Sequence, residues 1–215
     1  MAKFSEQKFD FKKEYKDLYL PKAAPALIDV PEMNFIMVNG SGDPAGESYQ
    51  SAMQVLYSLT FTIKMSKMGG RQPEGYFDYV LPPLEGLWWS PEGELNLEER
   101  TGWQWISMIR QPDFVTPEVF DWAVRECREK KPEIDVSRAR LERFTEGLCV
   151  QVMHVGPYAQ ERASMAKIGE FLAREGLVSE AGLLRKHHEI YLGDPRKTAP
   201  ERLRTVLRTP VGRGS

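Results

Sequence analysis

The sequence predicts an α+β fold: a pseudo-symmetric duplication of two strand-helix-strand modules, with antiparallel sheet around a central hydrophobic cleft. Three observations predict it. The apolar strand patterns "NFIMVNGSG" and "LCVQVMHVGPY" both stop at a glycine-marked turn, at Gly40 and Gly156. Each is followed by a helical pattern. Each helix is followed by strands that end on the same motif, "MIRQP" at 108–112 and "VLRTP" at 206–210, which read apolar, apolar, Arg, polar, Pro. One supersecondary order met twice along a chain is the signature of an internal repeat.

The elements follow in order. Residues 1–24 alternate Lys with Phe, Tyr and Leu and end in "LPKAAP", the pattern of an N-terminal arm that lays aromatic side chains on the body. One domain is expected over 25–215, with halves at about 25–115 and 141–211. The first half opens with a strand over 33–39, closed by "GSGDP". In the next segment Tyr49, Met53, Leu56, Thr60 and Ile63 recur at spacings of three and four before paired glycines, which predicts an amphipathic helix with a C-cap. "GYFDYVLPP", "EGLWWSP" and "GWQWISMIR" read as a short antiparallel meander, the last placing Trp103, Trp105, Ser107 and Ile109 on one face. Thr116 as N-cap and Pro117 at the first helical position open a helical connector. The second half then runs strand, helix over "AQERASMAKIGEFLAREGL", and two strands, "HHEIYLGDP" and "RLRTVLRTP".

Composition narrows the function. The chain of 215 residues is long enough to bury a core without metals or disulfides, and Cys127 and Cys149, lacking any ligand spacing, read as small buried hydrophobes. The near-balance of basic and acidic residues, net charge -2, gives no electrostatic case for nucleic acid. No stretch reaches the length of a membrane span, so a cytoplasmic protein is expected, with no membrane partner. The turn "GSGDPAGES" lacks the phosphate-binding lysine and glycine spacing and carries the acidic Asp43. His187 and His188 are adjacent on a strand, so they point to opposite faces and cannot share a metal; no metal and no cofactor are expected. No G-x-S-x-G elbow is present.

What stands out is aromatic. Tyr76, Phe77, Tyr79, Trp88, Trp89, Trp103 and Trp105 fall within thirty positions on short strands. Core packing accounts for many such residues, but the tandem pair Trp88 and Trp89 must project to opposite faces, so one of them is expected to line a cavity. Electron-rich walls hold flat aromatic or cationic ligands. The second anomaly is Glu189, an acid in the middle of a strand pattern. With period two it shares a face with His187 and Tyr191, while His188, Ile190 and Leu192 share the other, expected to pack on the helices. A solvated strand glutamate or an ion-pair partner is one reading, and a cavity carboxylate is the other.

Through "YVLPPLEGLWW", "MHVGPY" and "KHHEIYLGDPRKTAPERLRTVLRTPV", the chain after the arm resembles the GyrI-like small-molecule-binding family, relatives of the effector-binding halves of the BmrR and Rob transcription regulators. The resemblance implies a duplicated α+β module around a hydrophobic cleft with a glutamate at its floor, the position that Glu189 matches. Through "EGLWW" and "HHEIYLGDPRKTAPE" it is also similar to the stand-alone cyclopropanoid cyclopropyl hydrolases, which open the strained ring of DNA-alkylating natural products. On that implication Glu189 orients or deprotonates water, Tyr158 or Tyr191 donates to the substrate oxygen, and Trp89 and Trp105, with Trp88 or Tyr79, form stacking walls. Tyr49 and Met108 complete the expected lining. The expected partners are hydrophobic aromatic small molecules. The alternative is a non-catalytic multidrug-binding protein that sequesters lipophilic, often cationic aromatic compounds.

Overall fold

The structure, a computed structural model, describes residues 8–91, 102–182 and 184–214. Two short helices, α1 (Phe11–Glu14) and α2 (Lys16–Tyr19), precede β1 (Ala26–Ser41), α3 (Glu47–Lys64), β2 (Leu84–Trp89) and β3 (Gln104–Gln111). The connector α4 (Pro117–Lys130) leads to β4 (Ala139–Val155), α5 (Glu161–Glu175), β5 (Leu177–Ser179), β6 (His187–Tyr191) and β7 (Arg204–Arg213). Local chemistry places several ends: Thr116 caps α4 by accepting from Val119 N, with Pro117 at its start, and α5 stops at Gly176 in the left-handed region, φ 65°.

The repeat is visible in the pairing. β3 lies between β1 and β2, and β7 lies between β4 and β6, all antiparallel. β1 then pairs with β4 and β2 with β6, each a strand beside its counterpart, so the two halves close into a six-stranded barrel with β5 added to the end of β7. Closure removes the sheet edges that an open meander would expose. The "GYFDYVLPP" stretch, expected as a strand, is instead an extended segment in which Tyr79 alone bridges Phe9; Pro82 and Pro83 carry no backbone donor for a ladder.

A closed barrel has an inside, and one face of every strand must fill it. Phe35, Met37, Leu87, Met108, Ile190 and Val206 do so, together with Phe11, Leu18 and Tyr19 from the arm, which plugs one end. The arm is pinned there by polar contacts: Gln151 Nε2 donates to Asp17 O at 2.5 Å and Arg208 Nη2 to Leu18 O at 2.8 Å. The other face is covered from outside, by α3 and α4 over Ile36, Val38, Trp88, Trp105 and Ile109, and by α5 over Val150, Val152 and Leu207. This reverses one expectation. His188 and Ile190 face the barrel interior, and the helices cover the face that carries Glu189.

The two repeated arginines also turn inward. Arg110 and Arg208 hold equivalent registers, opposite Phe35 of β1 and Gln151 of β4, and both are buried. Arg208 joins an ionic network inside the barrel. Its Nη1 lies 2.9 Å from Glu146 Oε2, which also meets His188 Nδ1 at 2.9 Å, and His188 Nε2 lies 3.0 Å from Glu85 Oε2. Tyr19 of the arm donates to Glu85 Oε1 at 3.3 Å. Both cysteines are buried free thiols.

Candidate functional site: an aromatic-walled glutamate between two helices

On the outer face of the barrel, α3 packs over β1 and β3 and α5 over β4 and β7, and the β2–β6 seam between them is the gap in which Glu189 stands. Strand register dictates the neighbours. Gly86 lies opposite Glu189, Leu84 opposite Tyr191 and Trp88 opposite His187; on β3, Ser107 lies opposite Gly86 and Trp105 opposite Trp88. These residues therefore share one face. Glycine at 86 keeps space for the indole of Trp88, because a Cβ there would lie 2.7 Å from Trp88 Nε1. Gly40 does the same for Trp105, whose ring lies where its Cβ would be. Replacing Gly86 by Ala is expected to displace Trp88 and cost about 1–3 kcal/mol, the usual range for overpacking, read by chemical denaturation together with a changed near-UV circular dichroism band.

The walls are layered. Tyr49 of α3 stacks on Trp88 at 5.6 Å and meets Trp105 edge-on at 5.0 Å, and Trp103 meets Trp88 edge-on at 5.5 Å. From the opposite side Tyr158, in the turn before α5, meets Tyr191 edge-on at 5.9 Å. The Tyr191 hydroxyl donates to Glu189 Oε2 at 2.7 Å and accepts from Trp88 Nε1 at 3.0 Å. The other carboxylate oxygen, Oε1, has His187 Nε2 at 3.4 Å. Burial above all, and then the Glu189 charge, push the Tyr191 phenol well above its ordinary range, so its hydroxyl remains a donor. Burial, with the charges of Glu161 and Glu189, pushes Tyr158 up to about 12.

The gap is largely filled by rings, with Trp88 only 3% exposed, yet 15% of the Glu189 side chain remains open to solvent. Around it, His187 Nδ1, Thr205 Oγ1 and Thr209 Oγ1 are buried without a hydrogen-bond partner among the described residues. A polar floor under aromatic walls is what small-molecule sites share: apolar area for binding, and few polar atoms for orientation. Among the described residues no group of three His, Cys, Asp or Glu side chains is placed to hold a metal ion, and no helix is long and apolar enough to cross a membrane.

Of the residues expected in the site, the structure brings Glu189, Tyr191, Tyr158, Trp88, Trp105 and Tyr49 together. Trp89, Tyr79 and Met108 lie elsewhere. Trp89 is one residue on from Trp88 and so faces away from the gap, under the Lys186 ammonium at 5.0 Å. Tyr79 is fully buried at the plugged end of the barrel beside Phe11 and Phe114. Met108 alternates with Ser107 and Ile109 and fills the barrel interior. Trp103, His187, Gly40 and Gly86 also form the site, beyond the residues expected to line it. His187 carried a signal, since it shares a face with Glu189 by simple alternation.

Such a site on a duplicated barrel defines a small-molecule-binding domain, and the comparisons agree. The model of the GyrI-like small-molecule-binding domain matches residues 23–211, so the chain belongs to that family. It is similar to an uncharacterized conserved protein from Listeria innocua, at 56% identity and a TM-score of 0.92 over 95% of this chain and 100% of that one. A hydrolase from Listeria innocua is 54% identical, with a TM-score of 0.88 and the same coverage. The C-terminal domain of EcmrR, 14% identical over 88% of this chain and 98% of its own with a TM-score of 0.52, shares the fold. A search of curated proteins finds no match.

Proposed function

We propose that this protein is a xenobiotic-detoxifying hydrolase that binds flat aromatic molecules between α3 and α5 and opens the cyclopropane ring of cyclopropanoid DNA-alkylating agents with water. The observation that carries the reading is the Glu189 carboxylate, held from one side by the Tyr191 hydroxyl and exposed within a wall of tryptophan and tyrosine rings. The likeness to a hydrolase from Listeria innocua supports an enzyme.

The chemistry asks little of the protein. In a cyclopropane conjugated to a dienone, water oxygen bonds to the ring methylene carbon while the strained C–C bond breaks. The electron pair of that bond moves into the dienone and restores an aromatic ring, leaving its carbonyl oxygen as a phenol once protonated. Glu189 takes the proton from the attacking water through Oε1, the oxygen that Tyr191 does not occupy. Tyr191, whose hydroxyl is committed to Glu189 and Trp88, is a positioning residue. Tyr158 has a hydroxyl not committed in this way and is the donor to the developing phenolate. Trp88, Trp105 and Tyr49 orient the flat substrate, which supplies the proximity contribution.

The alternative, sequestration of lipophilic cations, draws on the same carboxylate as counter-charge. Incubating the protein with a cyclopropane-bearing alkylator and measuring product mass separates the two. A ring-opened, hydrated product formed catalytically is expected; recovery of unchanged compound with saturable quenching of tryptophan fluorescence would leave the binding reading instead.

A further inference from the structure

On the opposite side of the sheet from Glu189, the barrel has a second opening. The arm plugs one end; at the other, a pocket of about 250 Å³ runs inward between β1, β2, β3 and β4. Its apolar walls are Met37, Leu87, Ile106 and Phe144, and Glu146 lies among its lining residues. None of these side chains belongs to the gap between α3 and α5.

Glu146 is the informative residue. Its side chain is 5% exposed, and Arg208 and His188 both approach the same oxygen, Oε2. The other oxygen, Oε1, is buried and makes no hydrogen bond of ordinary geometry among the described residues; its one neighbouring donor is the weak Cys149 thiol beside the carboxylate. Burial opposes its charge, but the His188 and Arg208 cations outweigh that and hold the carboxyl down to about 2, so it is an acceptor only. A buried carboxylate oxygen left unmatched is unfavourable, and a donor reaching it gains the difference.

We propose that this pocket is a second small-molecule site, which takes a compact, neutral, apolar molecule carrying one hydroxyl or amide N–H that donates to Glu146 Oε1. A neutral ligand is favoured because the charges at the pocket already face one another: Glu146 meets Arg208 and His188, and the lining residues Arg140 and Glu142 meet each other. An ion entering there would give up its hydration without gaining a counter-charge. Arg140 and Arg185 are engaged by Glu142 and Glu180, so they do not compete for Glu146 Oε1. The site does not depend on the hydrolase reading.

The test uses phenol and its methyl ether anisole, which differ by the donor, and follows backbone amide signals of the intact protein by two-dimensional NMR. Phenol is expected to shift Met37, Leu87, Ile106 and Phe144, with anisole at least about tenfold weaker. Ile106→Trp, which fills the pocket from its half-buried wall without touching the ionic network, is expected to abolish the phenol shifts. Millimolar phenol that shifts nothing, shifts centred on Glu189 and Tyr191, equal binding of anisole, or binding that survives Ile106→Trp would each overturn the proposal.

Discussion

Replacing Glu189 by Gln is expected to lower the rate of cyclopropane opening by about 100-fold or more, the usual scale for removal of a general base, while the affinity for a flat ligand is retained. The amide is nearly isosteric and still accepts the Tyr191 hydroxyl, which holds the native carboxylate at 2.7 Å. What it loses is the basic lone pair at Oε1. The measurement is single-turnover product formation alongside tryptophan quenching, so that chemistry and binding are read separately. Equal rates in variant and parent would remove Glu189 from the mechanism. Loss of binding together with rate would mark the carboxylate as a counter-charge, as the sequestering alternative requires.

Removing Arg208 is expected to have the largest effect on stability, about 3–5 kcal/mol for Arg208→Met, because it leaves the buried Glu146 carboxylate short of its partner. Arg208 is fully buried and gives hydrogen bonds to Glu146, Gln151 and Leu18 O. A single truncation thus frees three acceptors and loosens the arm. The double variant Arg208→Met with Glu146→Leu is expected to recover part of the loss, since a buried ion pair exchanged for apolar groups is far less damaging than one broken in half. Urea denaturation of the parent and both variants checks this. A double variant no more stable than the single one would mean that packing, rather than charge, sets the effect.

The same network gives stability a defined dependence on pH. Burial works against the His188 cation, but Glu146 and Glu85 overcome it and raise its pKa from 6.5 to about 9. A raised folded value means that this contribution is complete below pH 6.5 and is lost as pH rises through about 9. Glu146 runs the other way. Its value falls from 4.5 to about 2, so its contribution is complete above 4.5 and is lost as pH falls through about 2. The network is therefore expected to be at full strength between about pH 4.5 and 6.5, and denaturation midpoints across that window and on either side measure it.

How these residues came to matter was only partly legible in one dimension. The repeat was visible in "MIRQP" and "VLRTP", and the structure gives their arginines equivalent registers in β3 and β7. Nothing in the motif said that both would be buried, because a lone arginine on a strand ordinarily reads as surface. Its partner Glu146, and His188, which shares that carboxylate, come from strands 62 and 20 residues away in sequence. Glu189 could be singled out as an acid interrupting an apolar alternation, and Tyr191 and His187 as its companions on one face. Trp89 could not be separated from Trp88 by composition. Alternation required that the two point oppositely, and only register with β6 decided which one met Tyr191.

The sequence by itself determined the order of elements, the duplication, and which side chains share a face of each strand. These follow from local periodicity and turn chemistry, which act over a few residues. The tertiary structure alone decided which face is inside. Once β1 meets β4 and β2 meets β6, the sheet closes, one face becomes an interior that the arm must plug, and the helices are left to cover the other. That choice turned His188 into a buried partner of two carboxylates and put Glu189, one residue further along, in the gap between α3 and α5. Long-range pairing carries no local signal, so the inside and the outside of the barrel are settled only when the strands meet.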